Sequence, residues 1–285
     1  MEKTVQIQII RDDGQTMLYN SATTLWGIEK IDGIGSPEIE IYDEDNAIGD
    51  GSTITAVRVK KREWGFTVSL KSPADNDAQR KAQIAFYRPH STYKAVITYR
   101  GVQRWLPCRL VSADEPVVNI YDTESLEVKM VAPDPFFRSM DEFGKDIANI
   151  IGLFGFPYVS IMDKGFRIGY YEFADNLVIE NDGDADTDFR VRIVATGDVT
   201  NPKISCNGQF AQYTGTMAEG DVLIFDFQEH KVTKNGANVI ASLSDNSTLT
   251  KMSLVTGSNT IKYEAEIGGS MMNVYVYFNK KFNGV

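Results

Sequence analysis

Residues that commonly carry catalysis or bind metals are scarce in this sequence. Its 285 residues include two cysteines, Cys108 and Cys206, and two histidines, His90 and His230. The cysteines lie far apart in the chain, so no disulfide framework is implied and two buried or half-buried thiols are expected. No nucleophile motif surrounds either histidine, which predicts loop positions for both. Zinc-site and nucleotide-binding motifs are also missing, so the sequence predicts no catalytic residue, no metal ligand and no cofactor.

Basic residues and long apolar runs are also in short supply. The chain has 39 aspartates and glutamates but 29 lysines and arginines, which gives a formal net charge of -10. Binding to nucleic acid or to an anionic membrane needs a basic face, so neither is expected. The first residues alternate polar and apolar side chains instead of forming a signal peptide, and no stretch is apolar enough to span a bilayer. We therefore expect a protein that is made and folded in a cytoplasm.

Apolar and polar residues alternate along most of the chain, a period of two that is typical of β-strands. Residues 5–9 alternate and are followed by Asp12-Asp13-Gly14, which predicts a strand and a hairpin turn. One segment breaks the pattern, because residues 75–87 contain good helix formers and predict a short amphipathic helix. Further strands are predicted at residues 53–61, 66–70, 93–99, 103–112 and 124–131.

The second half of the chain follows a proline-punctuated boundary at residues 132–137, which cannot continue a regular ladder. Residues 140–151 predict a helical linker. Beyond residue 157 the alternation returns with a turn signal roughly every 8–12 residues, the pattern of a β-sandwich or barrel. The pairs Asn207-Gly208 and Asn235-Gly236 predict type I′ hairpins. Strands are predicted at residues 166–173, 176–181, 189–196, 202–206, 209–214, 221–227, 231–234, 237–243, 248–254, 258–266 and 272–278.

Length and pattern together predict two domains, since a domain usually has roughly 100–200 residues. We predict a first domain at residues 1–137, a linker at 138–157 and a second domain at 158–285. The expected fold class is mainly β, with one short helix in the first domain.

One segment could serve oxygen ligands to a cation. Aspartates alternate from Asp182 to Asp188, as in some Ca²⁺-binding loops. The EF-hand pattern also needs glycine at its sixth position and glutamate at its twelfth, where this chain has Thr187 and Ile193. We therefore interpret the segment as a solvated acidic loop between two strands and predict no metal site.

Aromatic residues make up 11% of the chain and allow a second alternative. They could line a sugar-binding or partner-binding surface, although aromatic residues on alternating strands more often belong to a core or an interface. The residues in question are Trp26, Trp64, Trp105, Tyr170 and Tyr171.

The order of features in the first half resembles a known family. A strand at residues 66–70 precedes the helix, which contains Arg80 and is followed by Phe86-Tyr87-Arg88-Pro89. A strand pair flanks Arg100-Gly101, and a later strand leads to Asp134-Pro135-Phe136-Phe137. This arrangement resembles the N-terminal domain of siphophage distal tail proteins, with the D-P-F-F segment as its sharpest match.

The second half resembles the galectin-like C-terminal β-sandwich of the same family. The likeness rests on the order and spacing of turn motifs rather than on any one of them. These motifs are Asn181-Asp182-Gly183, Gly197 with Asn201-Pro202, Gly215 with Gly220-Asp221, Asn235-Gly236, and Gly257-Ser258-Asn259.

This resemblance implies a non-enzymatic structural protein of a phage or prophage. Its first, β-sandwich-like domain would form a homohexameric ring at the distal end of the tail tube, in contact with the major tail tube protein. The ring would also dock the tail-associated (tail-tip) protein, and the outward second domain could hold receptor-binding proteins of the baseplate. The implied location is the virion tail tip, with synthesis in the bacterial host cytoplasm. The alternative is a carbohydrate-binding module acting in adhesion to the host cell surface.

Ring formation needs head-to-tail contacts between copies. The hairpin at Arg100-Gly101 is a candidate clasp for the next subunit, motivated by the apolar residues Val96, Trp105 and Leu106. An ordinary hairpin of the core is the equally weighted alternative.

Overall fold

A computed structural model describes residues 5–20, 25–70, 76–116, 125–146, 149–152, 169–172 and 176–285. The chain divides into two compact units. The first unit comprises Met1–Met140 together with Lys281–Val285, and the second comprises Asp141–Lys280. Across the described residues, no helix has the length and apolar character needed to cross a membrane.

The first unit is built on a nine-stranded sheet in the order β2-β1-β7-β8-β9-β6-β3, with β10 paired to β8 and β25 paired to β10. Every strand pairing in it is antiparallel. Two further strands, β4 and β5, pair with each other and with no other described strand. The strands are β1 (Val5–Arg11), β2 (Thr16–Asn20), β3 (Trp26–Asp32), β4 (Ile39–Asp45), β5 (Ser52–Val59), β6 (Arg62–Leu70), β7 (Thr92–Tyr99), β8 (Val102–Asp114), β9 (Ser125–Ala132), β10 (Phe137–Ser139) and β25 (Lys281–Phe282).

The period-two pattern fixes which face of this sheet is buried. Ile7 and Ile9 of β1 are fully buried and lie opposite Ile97 and Ala95 of β7, so one face of the sheet lines the core. The two end strands, β2 and β3, lie next to each other, which curves the sheet around that core. The mainly-β fold predicted from the sequence is confirmed.

The predicted helix is also confirmed, as α1 (Asn76–Phe86). Its Gln83 and Phe86 are buried, and Gln83 accepts a hydrogen bond from the Tyr19 hydroxyl at 2.6 Å. The Arg11 guanidinium donates to the carbonyl oxygens of Ala85 at 3.2 Å and Phe86 at 2.7 Å. It thereby satisfies groups that the last helical turn leaves without intrahelical partners.

The second unit contains a six-stranded sheet, β11-β24-β15-β20-β21-β22, and a four-stranded sheet, β14-β23-β17-β18. Both sheets contribute to a single hydrophobic core, as in a β-sandwich. The galectin-like character of this sandwich stays a prediction. The elements of the second unit are β11 (Phe143–Asp146), β12 (Asn149–Gly152), β13 (Gly169–Glu172), β14 (Asn176–Asn181), β15 (Phe189–Ala195), β16 (Val199–Thr200), β17 (Lys203–Cys206), β18 (Gln209–Gln212), β19 (Thr216–Met217), β20 (Val222–Asp226), β21 (Lys231–Lys234), β22 (Ala237–Asn238), β23 (Gly257–Glu264), β24 (Met272–Phe278) and short 3-10 turns at Ile240–Ser242, Leu249–Lys251 and Gly269–Met271.

Both Asn-Gly hairpins form as predicted. Asn207 and Gly208 have φ angles of 49° and 81° and join β17 to β18, while Asn235 and Gly236 have φ angles of 50° and 83° and join β21 to β22. Positive φ at both central residues is the requirement of the type I′ turn, which Asn-Gly meets at low cost.

Three predicted elements of the second half are wrong in whole or in part. Residues 237–243 were expected to form a strand, but only Ala237–Asn238 do so, and Ile240–Ser242 form a 3-10 turn. Residues 140–151 were expected to form a helix, but their described part contains β11 and β12. Pairing of β11 with β24 overrides the local helix propensity. Residues 248–254 were expected to form a strand, but they contain the turn Leu249–Lys251.

The end of the described chain returns to the first unit. Strand β25 pairs with β10, with Phe137 opposite Phe282 and Arg138 opposite Lys281. The division predicted from the sequence leaves these residues with the second domain, because alternation alone does not reveal which strand they pair with.

Candidate assembly surface

Strands β4 and β5 form a two-stranded hairpin of their own, which we name the arm (residues 39–59). At its base, the Lys60 amide donates to the Glu38 carbonyl oxygen at 2.9 Å, and the Lys60 ammonium pairs with the Glu38 carboxylate at 2.8 Å. An isolated two-stranded hairpin is only marginally stable in water. The arm is therefore expected to gain stability from a surface that covers it.

One face of the arm is aliphatic and open to solvent. The register places Ile39 opposite Val59 and Ile41 opposite Val57, and a bulge then brings Ile54 opposite Asp43. Because strand side chains alternate between faces, the five aliphatic residues share one face. Their exposed fractions lie between 37% and 62%. A contiguous apolar stripe of this kind marks an interaction site or an aggregation liability.

The other face of the arm is mostly polar, although it includes Tyr42 and Ala56, and Ile48 is exposed at the tip. Glu40 lies opposite Arg58, and Glu44 lies opposite Thr53. Residues 38–59 carry six carboxylates and a single cationic side chain, Arg58. An apolar stripe with an acidic surround suits a protein surface and opposes binding to nucleic acid or to an anionic membrane.

The hairpin at Arg100-Gly101 differs from the arm. Val96 and Leu106 are buried within the first unit, and the Trp105 indole donates to the Ser139 carbonyl oxygen at 2.9 Å. The apolar residues that made this hairpin a candidate clasp are therefore already engaged in their own unit. The arm presents the larger exposed apolar surface.

The scarce reactive residues lie where the sequence predicts. His90 and His230 have φ angles of 70° and 49° and lie in exposed turns. Both cysteines are free and buried. Burial raises the pKa of the Cys108 thiol to about 12 and that of Cys206 to about 11. Neither thiol is activated as a nucleophile, since activation requires a lowered pKa.

The aspartate-rich segment, residues 182–188, joins β14 to β15. Hydrogen bonds and an ion pair connect it to other parts of the second unit. The side-chain amide of Asn181 donates to the carbonyl oxygens of Ala185 at 3.1 Å and Leu254 at 3.2 Å. Asp182 pairs with Lys280, and Asp186 accepts the Thr256 amide at 3.1 Å. Within the described ranges, no group of three or more acidic, histidine or cysteine side chains could hold a metal ion. The contacts fit the acidic-loop interpretation.

The aromatic residues considered for sugar binding do not form an exposed platform in the part of the chain that is described. Trp26 and Trp64 are 5% and 3% exposed and belong to the core of the first unit. Tyr170 and Tyr171 lie in β13, and their side chains are outside the described ones.

Comparison with known protein families finds a match that covers most of the second unit. Residues 182–282 match the model of the family described as siphovirus-type tail component, C-terminal domain. This part of the chain is similar to siphovirus-type tail component domains. The resemblance to siphophage distal tail proteins drawn from the sequence is thereby confirmed. No curated protein matches the sequence significantly.

Solved structures extend the likeness beyond the tail-component domain. The Dit protein (gp 19.1) of phage SPP1, described as a paradigm of the hub adsorption apparatus in phages infecting Gram-positive bacteria, aligns with a TM-score of 0.68 at 16% identity, covering 97% of this chain and 99% of that one. Chains of the phage p2 baseplate in its activated conformation, with Ca and with Sr, align at 7% identity with TM-scores of 0.54 and 0.53, covering 100% of both chains. The fold of this chain is thus similar to that of the SPP1 Dit protein over nearly its whole length.

Sequence reasoning did not single out the arm as a candidate assembly surface. The alternation at residues 53–61 predicted strand β5, but it did not predict that both faces of the strand would be exposed. A usable signal was present, because Ile39, Ile41 and Tyr42 precede a run of acidic residues and a glycine-rich turn.

Proposed function

We propose that this chain is a structural subunit of a phage or prophage tail. It assembles into a homohexameric ring at the distal end of the tail tube and serves as the hub for tail-tip, baseplate and receptor-binding components. The carrying observation is the full-length likeness to the hub protein of phage SPP1, together with the family match of the second unit. The expected neighbours are further copies of this chain, the major tail tube protein and the tail-associated protein.

The exposed aliphatic face of the arm supports the proposed self-assembly. A ring needs a heterologous contact, in which one patch of a subunit meets a different patch of the next. The aliphatic face of the arm is such a patch, because Ile41 and Val57 are 55% and 62% exposed and gain from burial only against another surface. We assign this face to the contact with the neighbouring subunit.

An enzymatic role has little support among the described residues. Both histidines lie in exposed turns and both thiols have raised pKa values. The proposed work of the molecule is surface complementarity rather than chemistry.

Solution mass and negative-stain imaging of the full chain test the proposal. Mass photometry over a range of concentrations is expected to show hexamers, and images are expected to show six-fold rings. The double variant I41E/V57E places two carboxylates on the aliphatic face and is expected to shift the population to monomers. The matched control T53E/A56E places two carboxylates on the opposite face and should leave the hexamer in place.

The possible outcomes distinguish whether the ring forms from whether the arm contributes to its interface. A chain that stays monomeric at every soluble concentration and gives no rings contradicts the ring itself. Hexamers that persist in I41E/V57E support the ring and move its interface away from the arm.

A further inference from the structure

Residues Lys281–Val285, which we name the strap, bind to the first unit through backbone and side-chain contacts. After the ladder between β25 and β10, the Arg62 guanidinium donates to the Asn283 carbonyl oxygen at 2.6 Å. Arg104 donates to the Gly284 carbonyl oxygen, and the Val285 amide donates to the Ile34 carbonyl oxygen at 3.0 Å. The strap is held like an extended peptide in a groove.

Arg62 organises the walls of this groove. It is 2% exposed and also donates to the carbonyl oxygens of Gly33 at 2.6 Å, Gly35 at 2.7 Å and Pro135 at 2.5 Å. Burial lowers the pKa of Arg62 to about 10, so it stays charged at neutral pH. Charge-assisted hydrogen bonds are stronger than neutral ones. One buried cation therefore links the loop at residues 33–35, the D-P-F-F segment and the strap.

The groove also selects side chains. The Arg104 guanidinium lies 3.6 Å from the centre of the Phe282 ring, and the Lys281 ammonium lies 3.3 Å from the Asp134 carboxylate. A Cβ atom at Gly284 would lie 2.7 Å from the Ile34 carbonyl oxygen, which leaves room only for glycine. The fit is specific to an aromatic residue followed, two positions later, by glycine.

The strap has a topological consequence. Strands β10 and β25 are adjacent in the sheet, yet the whole second unit, Asp141–Lys280, lies between them in the chain. The second unit is thus tied to the first by its entering segment and, through the docked strap, by its leaving segment.

We propose that the strap is an intramolecular peptide ligand that fastens the second unit to the first by a second attachment, and that the groove around Arg62, Arg104 and Ile34 is its binding site. With the strap docked, any force on the second unit is shared between two chain segments. With the strap released, the same force falls on the entering segment alone. This inference does not depend on ring formation.

A cleavable chain tests the fastening directly. A site for a specific protease is inserted at Met140, which is 41% exposed and lies just after β10. After cleavage of the otherwise unchanged chain, the strap is expected to keep the two fragments together in size-exclusion chromatography. Cleaved G284A is expected to separate into two fragments, because the added methyl group cannot fit beside Ile34.

Gly35→Ala is the matched control. Gly35 lies in the same groove, but a Cβ atom there would meet nothing within 4 Å. Cleaved G35A should therefore stay associated. Fragments that separate in all three chains, or that remain together in G284A, overturn the fastening.

Hydrogen exchange on the uncleaved chains provides a second measurement. Overpacking a well-packed site is expected to speed exchange in the peptide that contains Val285 by about tenfold or more in G284A. The same peptide should be unchanged in G35A. Equal exchange in G284A and the unmodified chain would show that the groove does not select glycine, and the binding-site assignment would fail.

Discussion

Ile41 lies directly opposite Val57 in the arm, and both side chains are more than half exposed, at 55% and 62%. Two facing aliphatic residues in a non-polar cross-strand pair normally contribute by being buried. In this chain their apolar surface remains in contact with water. In the proposed ring contact, burial of this surface would supply stabilisation that the folded subunit alone does not obtain.

The first prediction concerns the contribution of the aliphatic face of the arm to the stability of the monomer. The I41E/V57E variant should lower the free energy of unfolding of the monomer by about 1 kcal/mol, because it combines two exposed substitutions with the repulsion of two carboxylates that lie directly opposite each other. Ile9→Ala, at a fully buried position in the core of the same unit, should lower it by about 2–5 kcal/mol. Urea unfolding under conditions that keep the chain monomeric measures both. A large loss in I41E/V57E would mean that the aliphatic face packs within the subunit.

Sequence reasoning identified elements best where a strand packs on one face only. The expected strands at residues 176–181, 231–234 and 272–278 coincide with β14, β21 and β24. In β24 the side chains of Met272, Val274 and Val276 are buried and alternate with partly exposed ones, so the period of two is regular. Local pattern and tertiary packing agree in such elements, which makes them predictable.

Prediction failed where long-range pairing decides the outcome. Strand β11 was expected to be helical, and its conformation follows from β24, which lies far away in sequence. Strand β25 pairs with β10 across the whole second unit, so no local signal assigns it to the first unit. The exposed aliphatic face of the arm was missed for a different reason, since periodicity does not reveal whether a second layer covers a strand.

The second prediction concerns Arg62. Removing its guanidinium takes a hydrogen-bond donor away from the carbonyl oxygens of Gly33, Gly35, Pro135 and Asn283. Since each buried polar group that loses its partner costs about 1–3 kcal/mol, Arg62→Met should lower the free energy of unfolding by about 3 kcal/mol or more. Chemical denaturation followed by tryptophan fluorescence measures the loss.

Arg58→Met is the control for Arg62→Met, because Arg58 lies on the exposed polar face of the arm. Its effect on unfolding should stay within about 0.5 kcal/mol. Similar losses in the two variants would show that the carbonyl contacts of Arg62 contribute little.

The third prediction is a pH dependence centred on Asp221. Its carboxylate accepts hydrogen bonds from the Asn235 amide at 2.7 Å and the Ala218 amide at 2.9 Å, and it pairs with the Lys234 ammonium at 2.9 Å. The Asn235 and Lys234 hydrogen bonds are the main reason that the pKa of Asp221 falls from 3.8 to about 2. A carboxyl whose pKa is lower in the folded state stabilises the fold above its unfolded pKa.

This contribution should be present above pH 3.8 and disappear as the pH falls towards about 2. The variant D221N should therefore melt at a lower temperature than the unmodified chain at pH 7, and the gap should close in the acid range. Calorimetry from pH 7 to pH 2 measures the gap. A gap that stays constant with pH would exclude the carboxylate charge as its cause.

The fourth prediction compares two adjacent glycines in the second unit. Gly268 has a φ angle of 76°, and a Cβ atom there would overlap the Asp198 carbonyl oxygen, whereas a Cβ atom at Gly269 would meet nothing within 4 Å. Gly268→Ala should therefore lower the free energy of unfolding by about 3 kcal/mol, from backbone strain and overpacking together. Gly269→Ala should change it by no more than about 0.5 kcal/mol, and could raise it slightly by restricting the unfolded chain. Thermal unfolding of the two variants in parallel isolates the effect of the close approach between Gly268 and the Asp198 carbonyl. The two variants have the same composition, and their substitutions are one position apart in the chain. Equal stability would show that the backbone at Gly268 shifts to admit a side chain at little cost.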